Sequence, residues 1–185
     1  MLAVWVSAVK ESGFFVAIGG FRASVTDPRA LVRAVNESCA PHVAQIVDAS
    51  RVAGRDHLWM AAVNAVKATE TGLALSKGIG VEALLYASAQ DQITKALATL
   101  GVTAKSTTIA LMVFTSSQAE AESAYRKAAA LLGVEDKGVL EIDGAKAAYL
   151  RKAYGINDVE LEAAGGESAL GGLVVERGAL LSLRR

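Results

Sequence analysis

Six polar residues stand out between Val47 and Val102: His57, Glu82, Tyr86, Ser88, Gln90 and Gln92. Together they offer hydrogen bonding and ring stacking, not an acid/base set, because a general base needs a nucleophile or an orienting acid within reach. His57 follows Gly54-Arg55-Asp56 at a predicted helix start, where it either caps the helix or serves recognition as a donor or acceptor. The other histidine, His42, falls in a predicted strand. Glu82 and Tyr86, at i and i+4, share a helix face, and Glu82 near the helix start also suits the dipole. Tyr86 either packs in the core or presents a stacking face to a base. Ser88, Gln90 and Gln92 bracket the junction of two helices, with Ser88 or Asp91 placed to cap the second. Free amides at such a helix start suit one or two phosphates, and Arg55, Lys67 and Lys95 supply charge nearby. From Arg51 to Lys105 six basic residues face four acids (Asp56, Glu70, Glu82 and Asp91). The pattern suits holding a ligand better than transforming one. An enzyme using His57 with Glu82 is the catalytic alternative.

These residues must be positioned by helices. Leu58, Ala61, Ala62 and Ala65 recur at helical spacing until Gly72, with Trp59, Met60 and Val63 apolar on the other side. Val81, Leu84 and Leu85 mark a second helix; Ile93, Ala96, Leu97 and Leu100 mark a third, with Gly101 as its C′ glycine. Upstream, Leu2–Val9 and Phe14–Ile18 read as a hairpin, Asp27-Pro28 opens a helix that Pro41 closes, and His42–Val47 is a strand. Downstream, Ile109–Phe114 is apolar on both faces, as a central strand is. The Ala-rich helix Gln118–Leu132 stops at Gly133, Gly138–Ile142 is a strand candidate, and Asp143 caps a helix to Tyr154. Asn157 with Glu160 forms a capping-box-like start, Gly165-Gly166 is a hinge or turn, and a last helix runs to about Leu183. Its apolar positions Leu170, Leu173, Val174 and Leu181 form one stripe, and Val175, Ala179, Leu180 and Leu183 fall partly outside it. A stripe this wide is either wholly buried or partly free to dock on another protein.

Composition narrows the function classes. With 185 residues, 52% of them hydrophobic and a mean hydropathy of +0.35, the chain has ample core material for one domain. Lys and Arg number 19 and Asp and Glu number 19, so bulk charge does not draw a duplex nucleic acid, although a local pocket can hold a few nucleotides. Neutrality also leaves little repulsion to oppose weak self-association. Cys39 is alone, which argues against disulfides and thiolate metal sites. Gly78 and Gly80 lack the third glycine of a dinucleotide fingerprint, and no phosphate-loop motif occurs. No apolar run approaches the roughly 18 residues of a membrane helix, and MLAVWVSAV lacks the basic lead of a signal peptide. An intracellular, cytoplasmic protein is the expectation.

The runs VDASRVAGRDHLWMAAVNAVKA, VEALLYASAQDQITKALATLGV and STTIALMVF resemble the PRPK-binding protein family, the small subunit of the KEOPS complex, in its archaeal form. The resemblance covers nearly the whole chain, is best over Val47–Val102 and continues to the terminal GALLSL. His, Glu, Tyr-x-Ser and Gln-Ile recur in order with matching spacing. Ala89 departs from the pattern, since archaeal relatives usually carry glycine there (ASGxxQI), and the N-terminal hairpin adds length relative to the shortest relatives.

The resemblance implies an α+β fold with a compact helical core flanked by small β-sheets. It implies a single domain over 1–185, with a C-terminal helix at about 167–183 that docks a partner. It also implies a non-catalytic subunit, without cofactor or metal, of the complex that makes threonylcarbamoyladenosine in tRNA. Such a subunit binds the kinase-like ATPase subunit and recruits tRNA by its single-stranded 3′ CCA end. Carried onto this chain, the RNA-contacting candidates are Arg55, His57, Lys67, Tyr86, Ser88, Gln90, Gln92 and Lys95. The kinase-docking candidates are Val174, Leu180, Leu181 and Leu183. A neutral protein can hold a short unpaired RNA end through stacking, amides and a few charges. The alternative is a purely protein-binding regulator of the kinase-like subunit with no RNA contact.

Overall fold

The computed structural model describes residues 4–184. Its centre is a mixed-length antiparallel sheet in the order β1-β2-β4-β3, built from β1 (Trp5–Ala8), β2 (Phe15–Arg22), β3 (Val43–Asp48) and β4 (Thr108–Thr115). The short β5 (Val134–Glu135) pairs with Phe21 and Arg22, beyond the end of β1. Leu2 and Ala3, expected in the first strand, lie outside the described residues. β4 is hydrogen-bonded on both sides, and period-2 alternation sends its side chains to two separate cores. Ala110, Met112 and Phe114 join Val16, Ile18 and Val47 on one face; Ile109, Leu111 and Val113 join Ala17, Phe21, Ala44 and Ile46 on the other.

Each face is covered by helices. α1 (Pro28–Cys39), capped by Asp27, which accepts from the Arg29 and Ala30 N–H, and α5 (Gln118–Leu132), capped by Ser117, lie on the second face. α2 (Arg55–Glu70) and α3 (Ile79–Ser88) lie on the first, with α4 (Ile93–Leu100) against α3. A third cluster, outside the sheet layers, gathers Leu150, Tyr154, Leu161, Leu170, Leu173 and Val174 from α6 (Gly144–Tyr154), α7 (Asp158–Ala163) and α8 (Leu170–Ala179), with Ile156 from the α6–α7 link.

The α+β class is as expected. The strands, however, form one sheet between helical layers instead of small sheets around a helical core, because β2 and β4 are apolar on both faces and each face must be covered. The expected strand Gly138–Ile142 is not formed: Lys137–Leu140 is a 3₁₀ turn capped by Asp136, whose carboxylate accepts from the Gly138 N–H at 2.9 Å. Gly101 terminates α4, but with φ −63° and ψ 144° it is extended and not left-handed. Glycine is needed there for space, since a Cβ would lie 2.4 Å from the Leu97 carbonyl oxygen.

Two adjacent glycines let the layers close on the sheet. A Cβ at Gly19 would lie 1.8 Å from the Tyr125 hydroxyl of α5, and one at Gly20 would lie 2.6 Å from Val139 on the opposite side. Gly178 performs the same service between α8 and α3, where a Cβ would meet the Tyr86 carbonyl oxygen at 2.6 Å.

Candidate functional site

The residues singled out in 47–102 divide into a buried set and an exposed set. His57 is 2% exposed, and its ring bridges two elements. Its Nδ1 accepts from the Ala53 N–H at 3.1 Å, which places the proton on Nε2, and Nε2 donates to the Ala87 carbonyl at 2.7 Å. The Tyr154 hydroxyl donates to the same carbonyl at 2.7 Å, with its ring edge-on to the imidazole. Burial pushes the His57 pKa down to about 4, so the ring is neutral near pH 7. Gly54, the N-cap of α2, brings no side-chain bond, and His57 supplies the start of the helix with an acceptor in its place.

Glu82 is fully buried in the first turn of α3 and accepts from the Leu75 and Ser76 N–H at 3.1 and 2.9 Å, so it holds down the segment between α2 and α3. Tyr86 is 3% exposed, and the Ser182 hydroxyl lies 3.4 Å from its own. Ser88 is buried inside α3 and donates to the Leu85 carbonyl at 3.1 Å, so it does not cap α4; Gln92 occupies that N-cap without a side-chain bond. Of the RNA-contacting candidates, His57, Tyr86 and Ser88 are thus buried. Their side chains are enclosed by the chain itself, and Tyr86 shows no ring face on which a base could stack. His57 and Glu82 do not make a catalytic pair either, since each is committed to backbone groups of a different segment.

The exposed set is Arg55, Lys67, Gln92 and Lys95, with Gln90 half-buried. Arg55 stands over the Trp5 ring, 4.9 Å from its centroid, in a cation–π contact. Lys67 lines a shallow cavity with Ser7, Lys10, Trp59 and Met60 beside the β1–β2 turn. Gln92 is the N-cap of α4 and Lys95 lies in its first turn, and α4 packs against α3. The structure thus gathers Gln90, Gln92 and Lys95 at one end and sets Arg55 and Lys67 along α2. Sequence reasoning placed Ile93 and Leu97 in the apolar stripe of α4, yet they are 47% and 49% exposed, while Ala96 and Leu100 are the buried members. Next to Gln92 and Lys95 they make α4 an amphipathic outer surface.

The docking candidates divide in the same way. Val174 is fully buried in the α6–α8 cluster, and Leu181 is 1% exposed in the core on the α2–α3 side. Both of these docking candidates are therefore buried, Val174 within α8 and Leu181 in the turn that follows it. Leu180 is half-buried and Leu183 is 81% exposed. α8 ends at Ala179, and Leu180–Arg184 continues as a 3₁₀ turn. Beside α8, Gly171, Gly172 and Val175 line a cavity of about 390 Å³ with Met60 of α2.

A polar cluster away from all of these was not anticipated. Asp48, buried at the end of β3, accepts from the Ser50 hydroxyl and the Ser106 hydroxyl, each at 2.6 Å. Arg51 donates to the Ala98 and Thr99 carbonyls at 3.0 and 3.3 Å and lies over the Tyr149 ring at 5.5 Å, so it closes the C-terminus of α4. Close by, Lys146 of α6 is 5% exposed and donates to the Val139 carbonyl at 2.7 Å; desolvation lowers its pKa to about 8. Lys146 lies in an Ala-rich helical pattern, and nothing in the spacing of that pattern signals burial. Among the described residues no group of His, Cys, Asp and Glu is disposed to hold a metal ion, and no helix is long and apolar enough to cross a membrane.

A protein-family model described as kinase binding protein CGI-121 matches residues 23–181. No curated protein matches the chain.

Proposed function

This chain belongs to the CGI-121 family of kinase binding proteins, and from that premise we propose that it is a non-catalytic, cytoplasmic subunit of an archaeal-type KEOPS complex. In that role it binds the kinase-like ATPase subunit and recruits tRNA through the single-stranded 3′ CCA end for threonylcarbamoyladenosine formation. The observation that carries the RNA part of the reading is the surface of α4. Gln92 and Lys95 are exposed there beside Ile93 and Leu97, which joins hydrogen-bond donors and one charge to apolar area against which unpaired bases can lie. The kinase part is supported by the family and by Leu183, a large apolar side chain left in solvent beside half-buried Leu180.

The discriminating experiment is a gel-shift comparison of intact tRNA with tRNA trimmed of its CCA end. Intact tRNA should bind more tightly, and Lys95→Glu should remove the difference. Equal binding of the two tRNAs would overturn the RNA reading. The burial of His57, Tyr86 and Ser88 favours a second reading, a protein-binding regulator without RNA contact. Under that reading neither tRNA shifts, while association with the kinase-like subunit persists.

A further inference from the structure

Among the described residues Lys146 is the buried lysine, 5% exposed, while every other lysine is exposed. Its Nζ reaches one acceptor, the Val139 carbonyl, and it takes part in none of the ion pairs among the described residues. An ammonium there carries three donors for one acceptor, so burial disfavours the charged form. Lys146 lines a cavity of about 460 Å³ with Arg22, Arg51, Thr107 and Thr108. The charged groups around it are Asp143 and Glu141, both exposed, Asp48, and the two arginines.

We propose that this cavity is a reactive-amine site in which Lys146 takes small acyl electrophiles carrying an anionic leaving group, the chemical class of acyl phosphates. The neutral Nζ attacks the acyl carbon. The N–C bond forms, the C–O bond to phosphate breaks, and phosphate leaves with the bonding pair while the amine proton passes to water. The products are an N-acyl-lysine and inorganic phosphate, with nothing oxidised or reduced. Arg22, ion-paired with Asp136 at 2.6 Å, and Arg51, which donates to the Ala98 and Thr99 carbonyls, both line the cavity and place positive charge beside the phosphate oxygens. Acylation also removes a charge whose burial is costly, so the product suits the cavity better than the ammonium does.

The test uses the full chain with acetyl phosphate near pH 8, following acetylation of each lysine by peptide mass spectrometry. Lys146 should react about tenfold faster than the exposed lysines, its larger free-amine fraction outweighing its lower basicity. Arg22→Gln should slow that reaction about threefold, a modest effect because Arg22 is exposed, and leave acetylation by uncharged N-acetoxysuccinimide unchanged. If Arg22→Gln shifts the melting midpoint, added inorganic phosphate replaces it, and should slow labelling at Lys146 but not at Lys127. A Lys146 rate no greater than that of the exposed lysines overturns the proposal. So does a rate insensitive to both Arg22→Gln and phosphate.

Discussion

Ala89 closes α3 at φ 53° and ψ 34°, in the left-handed region. The Gln90 and Ala89 N–H groups donate to the Leu85 and Tyr86 carbonyls, each at 3.1 Å, the paired closure that glycine favours at a helix end. A Cβ in this conformation costs roughly 1–2 kcal/mol, so Ala89→Gly should raise stability by about 1 kcal/mol. Urea denaturation reads this directly, and an unchanged midpoint would contradict the strain. His57 makes an opposite kind of residue-scale statement. Its folded pKa of about 4 lies below the ordinary 6.5, so the unfolded chain binds the proton more readily. The stability that neutral His57 confers is complete above about pH 6.5 and falls as pH drops toward 4, by on the order of 3 kcal/mol. Denaturation midpoints taken between pH 7.5 and 4.5 should show this slope, and His57→Gln should flatten it. The spacing around these residues showed that His57 and Glu82 are unusual. It could not show that they are enclosed, because the groups they satisfy, Ala87 for His57 and Leu75 with Ser76 for Glu82, are brought to them by tertiary packing.

At the scale of elements, small residues decide how closely the layers approach. In Gly178→Ala the new methyl would meet the Tyr86 carbonyl oxygen, a backbone atom that yields only if α8 or α3 moves. We expect a loss of about 2–3 kcal/mol, measured by chemical denaturation, and weaker binding of the kinase-like subunit if the end of α8 docks it. Gly19→Ala should displace Tyr125 and break its 2.6 Å hydrogen bond to Glu135, at a similar cost. Helices and strands with strong periodicity and caps were legible: α1 from Asp27-Pro28, α5 up to Gly133, and β4 from its unbroken apolar run. The 3₁₀ turn at Lys137–Leu140 and the two-residue β5 were not, since each is held by contacts with β2 and carries no periodic signal of its own. α8 shows the same limit. Its wide apolar stripe was visible, but the share covered by α2, α3 and α6 depends on where α8 lies.

For the whole molecule, the outer side of α4 and the end of α8 are the two surfaces proposed for RNA and for the kinase-like subunit. Leu183→Glu should weaken association with the kinase-like subunit about tenfold or more if Leu183 is a central contact. It should leave the fold intact, because the side chain is 81% exposed. Isothermal titration against that subunit checks this, with tRNA binding as the control. The two sheet-face cores, by contrast, lie on opposite faces of the strands that separate them. β4 contributes side chains to both and is flanked by β2 and β3. Its amides can therefore open to solvent only when both layers come apart. In deuterium-exchange measurements β4 should be the last segment to exchange, at the rate of global unfolding. The α6–α8 cluster, which has no strand of its own, is free to exchange earlier through a separate opening.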